Sequence, residues 1–368
     1  MSRSERNILS TRCARLALLT AGLLAAGSIH AQLNPQVMPS AGPLTKQTMA
    51  RLLLTDVARE ANRMVAVGDR GYIVYSDNDG ETWVRSKAPA GMPLLNAVYF
   101  SDANTVWAVG HDSIILKSVD KGGEWTQAYA SAKDLRPLMD ILFTNANTGF
   151  AVGAYGAFYE TTDAGKTWTS RKVIPAAPKP AAAPVSKPEG RGGRGAAALD
   201  VDDDLGKSAD EDKHLNAIIK LGSDTLFIAG EAGTLLLSKD TGKTWTRITS
   251  PYKGSFFGAI QADDGAVLVL GLRGNVFRSA DASLSAWTPV ATDTKASMMG
   301  VVKLADGAIV LSGLSGTMLI SRDNGKSFKP VVTDTIKPLA AAVPAGKNTL
   351  LVVGESGART VALSAAKK

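Results

Sequence analysis

Asp240 stands in the octet SKDTGKTW (238–245) and Asp163 in TTDAGKTW (161–168), each with a hydroxyl residue two positions before it and four after. A carboxylate beside hydroxyls could serve a hydrolase as general acid, base or nucleophile. The same three residues could instead bind the backbone of a turn. Copy number decides between these uses. The octet recurs as SDNDGETW (76–83), SVDKGGEW (118–125), SADASLSAW (279–287) and SRDNGKSF (321–328). Its acidic position is Asn78, Asp120, Asp163, Asp240, Asp281 or Asp323. A catalytic group would not be copied six times with an amide in one copy, Phe328 for Trp in another, and an extra residue in a third. Turn chemistry tolerates all three changes.

Other reactive side chains are scarce. The single cysteine, Cys13, lies in the N-terminal run, and beyond residue 31 only His111 and His214 remain. Two histidines without cysteine do not make a structural zinc site or a Ser-His-Asp triad by themselves. No cofactor is implied.

The elements that carry the octets form a repeat. First residues are 42, 43, 77, 41 and 42 apart, so one interval is longer by about one insertion. Upstream of each copy lies an apolar strand ending in G-x-x-G: VAVGDRG, WAVGHDS, FAVGAYG, FIAGEAG, LVLGLRG, LSGLSG, and a seventh, LVVGESG (351–357), with no octet after it. The second repeat holds four short strands, LNAVYF (95–100), TVWAVG (105–110), SIILKS (113–118) and EWTQAY (124–129). Four strands per period of about 42 residues define a β-propeller blade. The chain is therefore expected to be all-β, a seven-bladed propeller over 53–368 with four antiparallel strands per blade. Segment 32–52 is the expected donor of the last blade's missing fourth strand, covering its open edge. The octet then falls in the hairpin between third and fourth strands, with its Gly supplying positive φ and its Trp packing between blades.

The long interval is an insertion over 174–213, PAAPKP…RGGRG…DVDDDLGKSADEDK, too poor in apolar anchors to form a core and expected to be disordered. Residues 1–31 have four Arg, the apolar run Leu16–Ala26 and a small residue at Ala31, the pattern of a secretory signal cleaved after Ala31 into the periplasm. Removing it leaves 37 Lys and Arg against 33 Asp and Glu, a net charge of +4. That charge is not clustered, so nucleic acid is not an expected partner.

The combined repeat, xxAVGxxGxIxxSxDxGxTW, resembles the Asp-box or BNR repeat. It is similar to the photosystem II assembly and stability factor family of seven-bladed lumenal propellers, which also has members in non-photosynthetic bacteria. The resemblance covers the chain from Leu53 onward, apart from the insertion. It implies a non-enzymatic, exported, monomeric scaffold with a basic docking patch. Its implied partner is an integral membrane protein or membrane complex, with an RND-type transporter as the family-level candidate among bacterial members. The face carrying the G-x-x-G turns and inter-blade connections holds the candidate partner-binding residues Arg70, Arg273, Arg136, Lys253, Tyr155 and Tyr252.

Two other readings use the same fold. A divergent Asp-box glycoside hydrolase would need two carboxylates facing one cleft, and the Arg-Ile-Pro signature that opens the sialidases is absent. A soluble carbohydrate or peptide receptor would use the channel mouth. The inner strands begin LTDVA, LLNAV, LMDIL, HLNAI, FFGAI, MMGVV and LAAAV, which aligns Asp56, Asn96, Asp140, Asn216, Gly258, Gly300 and Ala341 as one ring around the axis. Packing accounts for that ring; an ion held by Asp56 and Asp140 is the alternative use.

Overall fold

The structure, a computed structural model, describes residues 42–175 and 212–363. The leader and most of the insertion (176–211) lie outside the described residues. The described chain forms seven antiparallel sheets whose innermost strands are Leu54–Glu60, Leu95–Phe100, Leu138–Phe143, Leu215–Lys220, Phe256–Gln261, Met298–Lys303 and Leu339–Pro344. Each inner strand packs on the next and the seventh on the first, so the ring closes as a seven-bladed β-propeller. The second strands of blades 2 to 6, such as VWAVG at Val106–Gly110 and VLVLG at Val267–Gly271, are buried at every position, and those of blades 1 and 7 at all but the first. Continuous apolar runs suit a strand with a blade on either face. Accordingly the core consists of seven clusters, one at each blade–blade seam.

The octets lock both the hairpin and the seam. In blade 4 the Ser238 hydroxyl donates to Asp240 Oδ1 (2.8 Å) and accepts from Gly242 N (2.8 Å). Asp240 also accepts from Thr244 N (2.9 Å) and Thr244 Oγ1 (2.6 Å). The indole of Trp245 donates to Gly242 O (3.0 Å) and packs on Phe150 and Phe158 of blade 3. Gly242 has φ +81, and a Cβ there would lie 2.8 Å from the Phe150 ring. The glycine therefore answers two demands at once, backbone handedness and room for the preceding blade. Trp125 repeats the arrangement against Val65 and Val67 of blade 1. Trp168 keeps the packing but its Nε1 is buried without an acceptor.

The G-x-x-G turns are glycine-bound for a different reason. The first glycine is extended, and a Cβ on Gly68 would lie 2.0 Å from Leu53 O. The second has positive φ and no room either: a Cβ on Gly274 would lie 2.2 Å from Thr294 O. Blade 2 substitutes Ser113, held at φ 51, whose hydroxyl donates to Arg136 O (2.9 Å).

Closure differs from the sequence expectation. Within the described residues 42–52, no strand joins the last blade, which keeps three strands. Instead Pro43–Leu44 pairs antiparallel with Trp83–Val84 and becomes a fifth strand on blade 1. The chain then forms a one-turn helix, Lys46–Met49, capped by the Thr45 hydroxyl. A helix cannot extend a sheet edge, so it plugs the seam instead. Met49 buries against Val343, Leu351 and Val353 of blade 7, and Leu52 O accepts from Gly357 N (2.8 Å). The insertion also starts later than residue 174: Ile174 is buried in the blade 3–4 seam, and Lys213 O accepts from Gly156 N (3.0 Å).

Candidate docking face

Every inner strand has a register shift at its second residue: Thr55, Asn96, Met139, Asn216, Phe257, Met299 and Ala340. A bulge leaves one residue out of the ladder and re-aims its side chain. All seven line a single funnel of about 390 Å³ at the axis, on the face of the G-x-x-G turns. Its wall is apolar around Met139, Phe257 and Met299, with Leu53 and Leu314 at the rim. Asn96 Nδ2 donates to Leu138 O (2.7 Å) and Asn216 Nδ2 to Phe256 O (2.8 Å). Neither amide oxygen has a protein partner among the described residues.

The bulge also corrects the axial alignment. Asn96 and Asn216 are equivalent to Thr55 and Met139, not to Asp56 and Asp140, which stand one residue further along. The layer below the funnel is thus Asp56, Ala97, Asp140, Ala217, Gly258, Gly300 and Ala341. Asp56 accepts from Val57 N (2.8 Å) and, across the seam, from Val98 N (2.8 Å). Asp140 does the same with Ile141 N (2.8 Å) and Ile218 N (2.9 Å). Each carboxyl is pushed up to about 7, chiefly by burial, which outweighs the lowering effect of its backbone donors. These carboxylates are strand clamps. Among the described residues no group of three or more His, Cys, Asp or Glu is placed to hold a metal ion.

The six candidate partner-binding residues all lie on this face but differ in freedom. Arg70 and Arg273 occupy the same left-handed turn position (φ 51 and 57) in blades 1 and 5. Arg70 is 86% exposed, with Asp69 3.5 Å away, and Arg273 is exposed with no ion pair among the described residues. Lys253 is exposed too. Tyr155, at φ 53 and 56% exposed, stands edge-on to His214. Two others are engaged internally. Arg136 grips Asp134 through Nε (2.8 Å) and Nη2, and donates to Tyr155 O (3.1 Å). Asp134, which also accepts from the Tyr159 hydroxyl, is held well below the usual carboxylate range, first by Arg136. Tyr252 is half-buried, stacked on Phe277.

Sequence reasoning missed the apolar character of this face. Eight large hydrophobic side chains are exposed among the described residues. Seven belong here: Leu53, Leu135, Tyr155, Met299, Leu314, Val332 and Ile336, the last 84% exposed. Only Val119 lies in an octet. Contiguous apolar surface on one face is a common feature of interaction sites. The available signal was the doubled letters FFG and MMG, whose first member is core and whose second is the bulge.

No protein-family model matches the sequence, and no curated protein does. Solved structures do resemble it. One described as YCF48 bound to D1 peptide superposes with TM-score 0.63 at 16% identity, over 88% of this chain and 94% of that one. YCF48 from Cyanidioschyzon merolae gives TM-score 0.62 at 16% identity, over 88% and 99%. A GH74 xyloglucanase from Xanthomonas campestris gives TM-score 0.62 at 13% identity, over 89% of this chain and 55% of that one. At these identities the likeness defines the fold class, a seven-bladed propeller of a kind found in YCF48 and in a GH74 xyloglucanase alike.

Proposed function

We propose that this protein is a non-enzymatic exported scaffold that docks a membrane protein or membrane complex through its G-x-x-G face. The observation that carries the reading is the concentration of exposed apolar side chains on that face, flanked by the unengaged cations Arg273 and Lys253. A peptide of D1 bound to a YCF48 propeller supports a membrane-protein partner by analogy of fold. An RND-type transporter is the candidate among bacterial complexes. The leader's pattern supports a periplasmic location with a mature chain starting at Gln32; intact mass of exported material tests this, and a retained Met1 would refute it.

The docking test is a cross-linked pull-down from envelope membranes. It compares wild type with Arg70→Glu/Arg273→Glu and with Arg322→Glu on the octet face. Neither turn requires its cation, since Ala232 and Ser315 hold the same position elsewhere. The double variant should keep its stability within about 0.5 kcal/mol and lose the partner. Equal recovery by all three folded proteins would refute docking through these cations.

A second reading has one observation in its favour: Asp56 and Asp140 are paired titratable acids at the axis, raised toward neutrality as a general acid would be. Against it, each of their oxygens already holds a backbone N–H. Reducing-sugar release from β-glucans by wild type, abolished in Asp140→Asn, would establish the hydrolase.

A further inference from the structure

The geometry points to the axial funnel as a receptor for one tryptophan or tyrosine side chain presented by the docked partner. This rests on the docking reading above and names what the centre of that face recognises. The funnel combines two surfaces that usually occur apart. Met139, Phe257 and Met299 form an apolar wall, and methionine adapts its unbranched side chain to a planar ring. The Asn96 and Asn216 amides, each anchored by its Nδ2 to the neighbouring blade, leave Oδ1 atoms with no protein donor. A guest that satisfies both needs an apolar body and a hydrogen-bond-donating tip. Leucine and phenylalanine lack the tip, and a lysine ammonium would lose its hydration against the Met and Phe wall, while the Glu355 carboxylate at the mouth is already paired with Lys337 (2.7 Å). Indole and phenol have both properties, and about 390 Å³ accommodates either.

The bulges make the receptor rigid. Each guest-facing residue sits between a buried first residue, such as Leu95 or Phe256, and a strand continuing down the axis. The wall is therefore built from the seams, and not from mobile loops. Tryptophan and tyrosine are also the residues that membrane proteins concentrate at the membrane–water boundary. An exported scaffold approaching from the aqueous side would meet them first.

The test uses the mature protein with ¹³C-methyl methionine and three probes, the N-acetyl amides of tryptophan, phenylalanine and leucine. The probes share one backbone, so differences report the side chain. Tryptophan amide is expected to shift the Met139 and Met299 methyls while Met64 and Met318, buried in the blades, stay still. Its affinity should exceed that of phenylalanine amide at least threefold. Asn216→Ala should erase that preference, and Phe257→Ala should weaken all three probes. Absence of a shift at the solubility limit would overturn the inference, and so would equal affinity for tryptophan and leucine amides. A methyl response in a protein that fails the membrane pull-down would sink the docking reading and leave the receptor standing; the converse result would do the reverse.

Discussion

Replacing Asp240 by alanine separates a turn from a catalytic group. The carboxylate accepts three hydrogen bonds, from Ser238 Oγ, Thr244 N and Thr244 Oγ1. Thr244 is exposed, so water re-solvates its donors in part. Charged-acceptor bonds are worth about 1.5–3 kcal/mol when buried, so three exposed ones should sum to about 1–3 kcal/mol. For a chain of this size that corresponds to a Tm lower by about 1.5–4.5 °C. The acidity of Asp240 adds a pH signature. Donation by the Thr244 hydroxyl, then by its N–H, holds the carboxyl down at about 2. A depressed folded pKa contributes stability that is present above the unfolded value near 4 and lost as pH falls through 2. Calorimetry at pH 7, 4 and 2.5 should therefore show a full gap between wild type and Asp240→Ala at the first two values and a smaller gap at the last. A variant with unchanged Tm and abolished partner recovery would refute the turn assignment, as would a gap that ignores pH.

Other substitutions probe other parts of the argument. Gly165→Ala places a Cβ 2.1 Å from the Trp107 ring at φ +78, and overpacking plus left-handed strain should cost about 2–4 kcal/mol by denaturant titration. Arg136→Ala breaks the half-buried grip on Asp134 and should cost about 1–3 kcal/mol, whereas Arg273→Ala should stay within about 0.5 kcal/mol; equal costs would contradict the distinction drawn between them. Asp56 and Asp140, raised to about 7, bind protons in the fold that the unfolded chain releases near pH 4. Their contribution is full below pH 4 and lost as pH rises through 7. The decline in Tm from pH 5 to 8 should be shallower in Asp56→Asn/Asp140→Asn, and parallel curves would exclude that titration.

The fold was legible because the octet is a local device repeated in place. Ser238, Asp240 and Gly242 bond to one another within five residues, so their spacing survives in the sequence whatever the blade packs against. The insertion between blades 3 and 4 followed from that spacing, and the seventh blade from the G-x-x-G strand LVVGESG, which repeats once more than the octet. The axial layer was not legible. A bulge inserts one residue without changing composition, and Asn96 aligned with Asp56 by letter while standing one position earlier in space. Arg136 looked available because its tether, Asp134, sits two residues away in a loop with no periodic signal. The helical turn was not legible either: the segment reads as a strand donor, yet Thr45, accepting from Thr48 N, starts a one-turn helix over Lys46–Met49.

The side-chain stitches across the axis are unevenly distributed around the ring. Asp56, Asn96, Asp140 and Asn216 tie blade 1 to 2, 2 to 3, 3 to 4 and 4 to 5. Blades 5, 6 and 7 offer Phe257, Met299 and Ala340 at the level of the asparagines, and Gly258, Gly300 and Ala341 at the level of the aspartates. Across the blade 6–7 step the inner strands approach closely, a Cβ on Gly300 lying 2.3 Å from Ala340 O, and the side-chain bond there is the long one from the Ser312 hydroxyl to Ala340 O (3.4 Å). A ring sewn more densely along one arc than along the other has a built-in order of breathing. The arc from blade 5 to blade 7 should part first, giving Met298–Lys303 and Leu339–Pro344 the fastest amide exchange of the inner strands. Phe257 and Met299 stand on that same arc, so exchange there reads out the wall of the axial funnel directly.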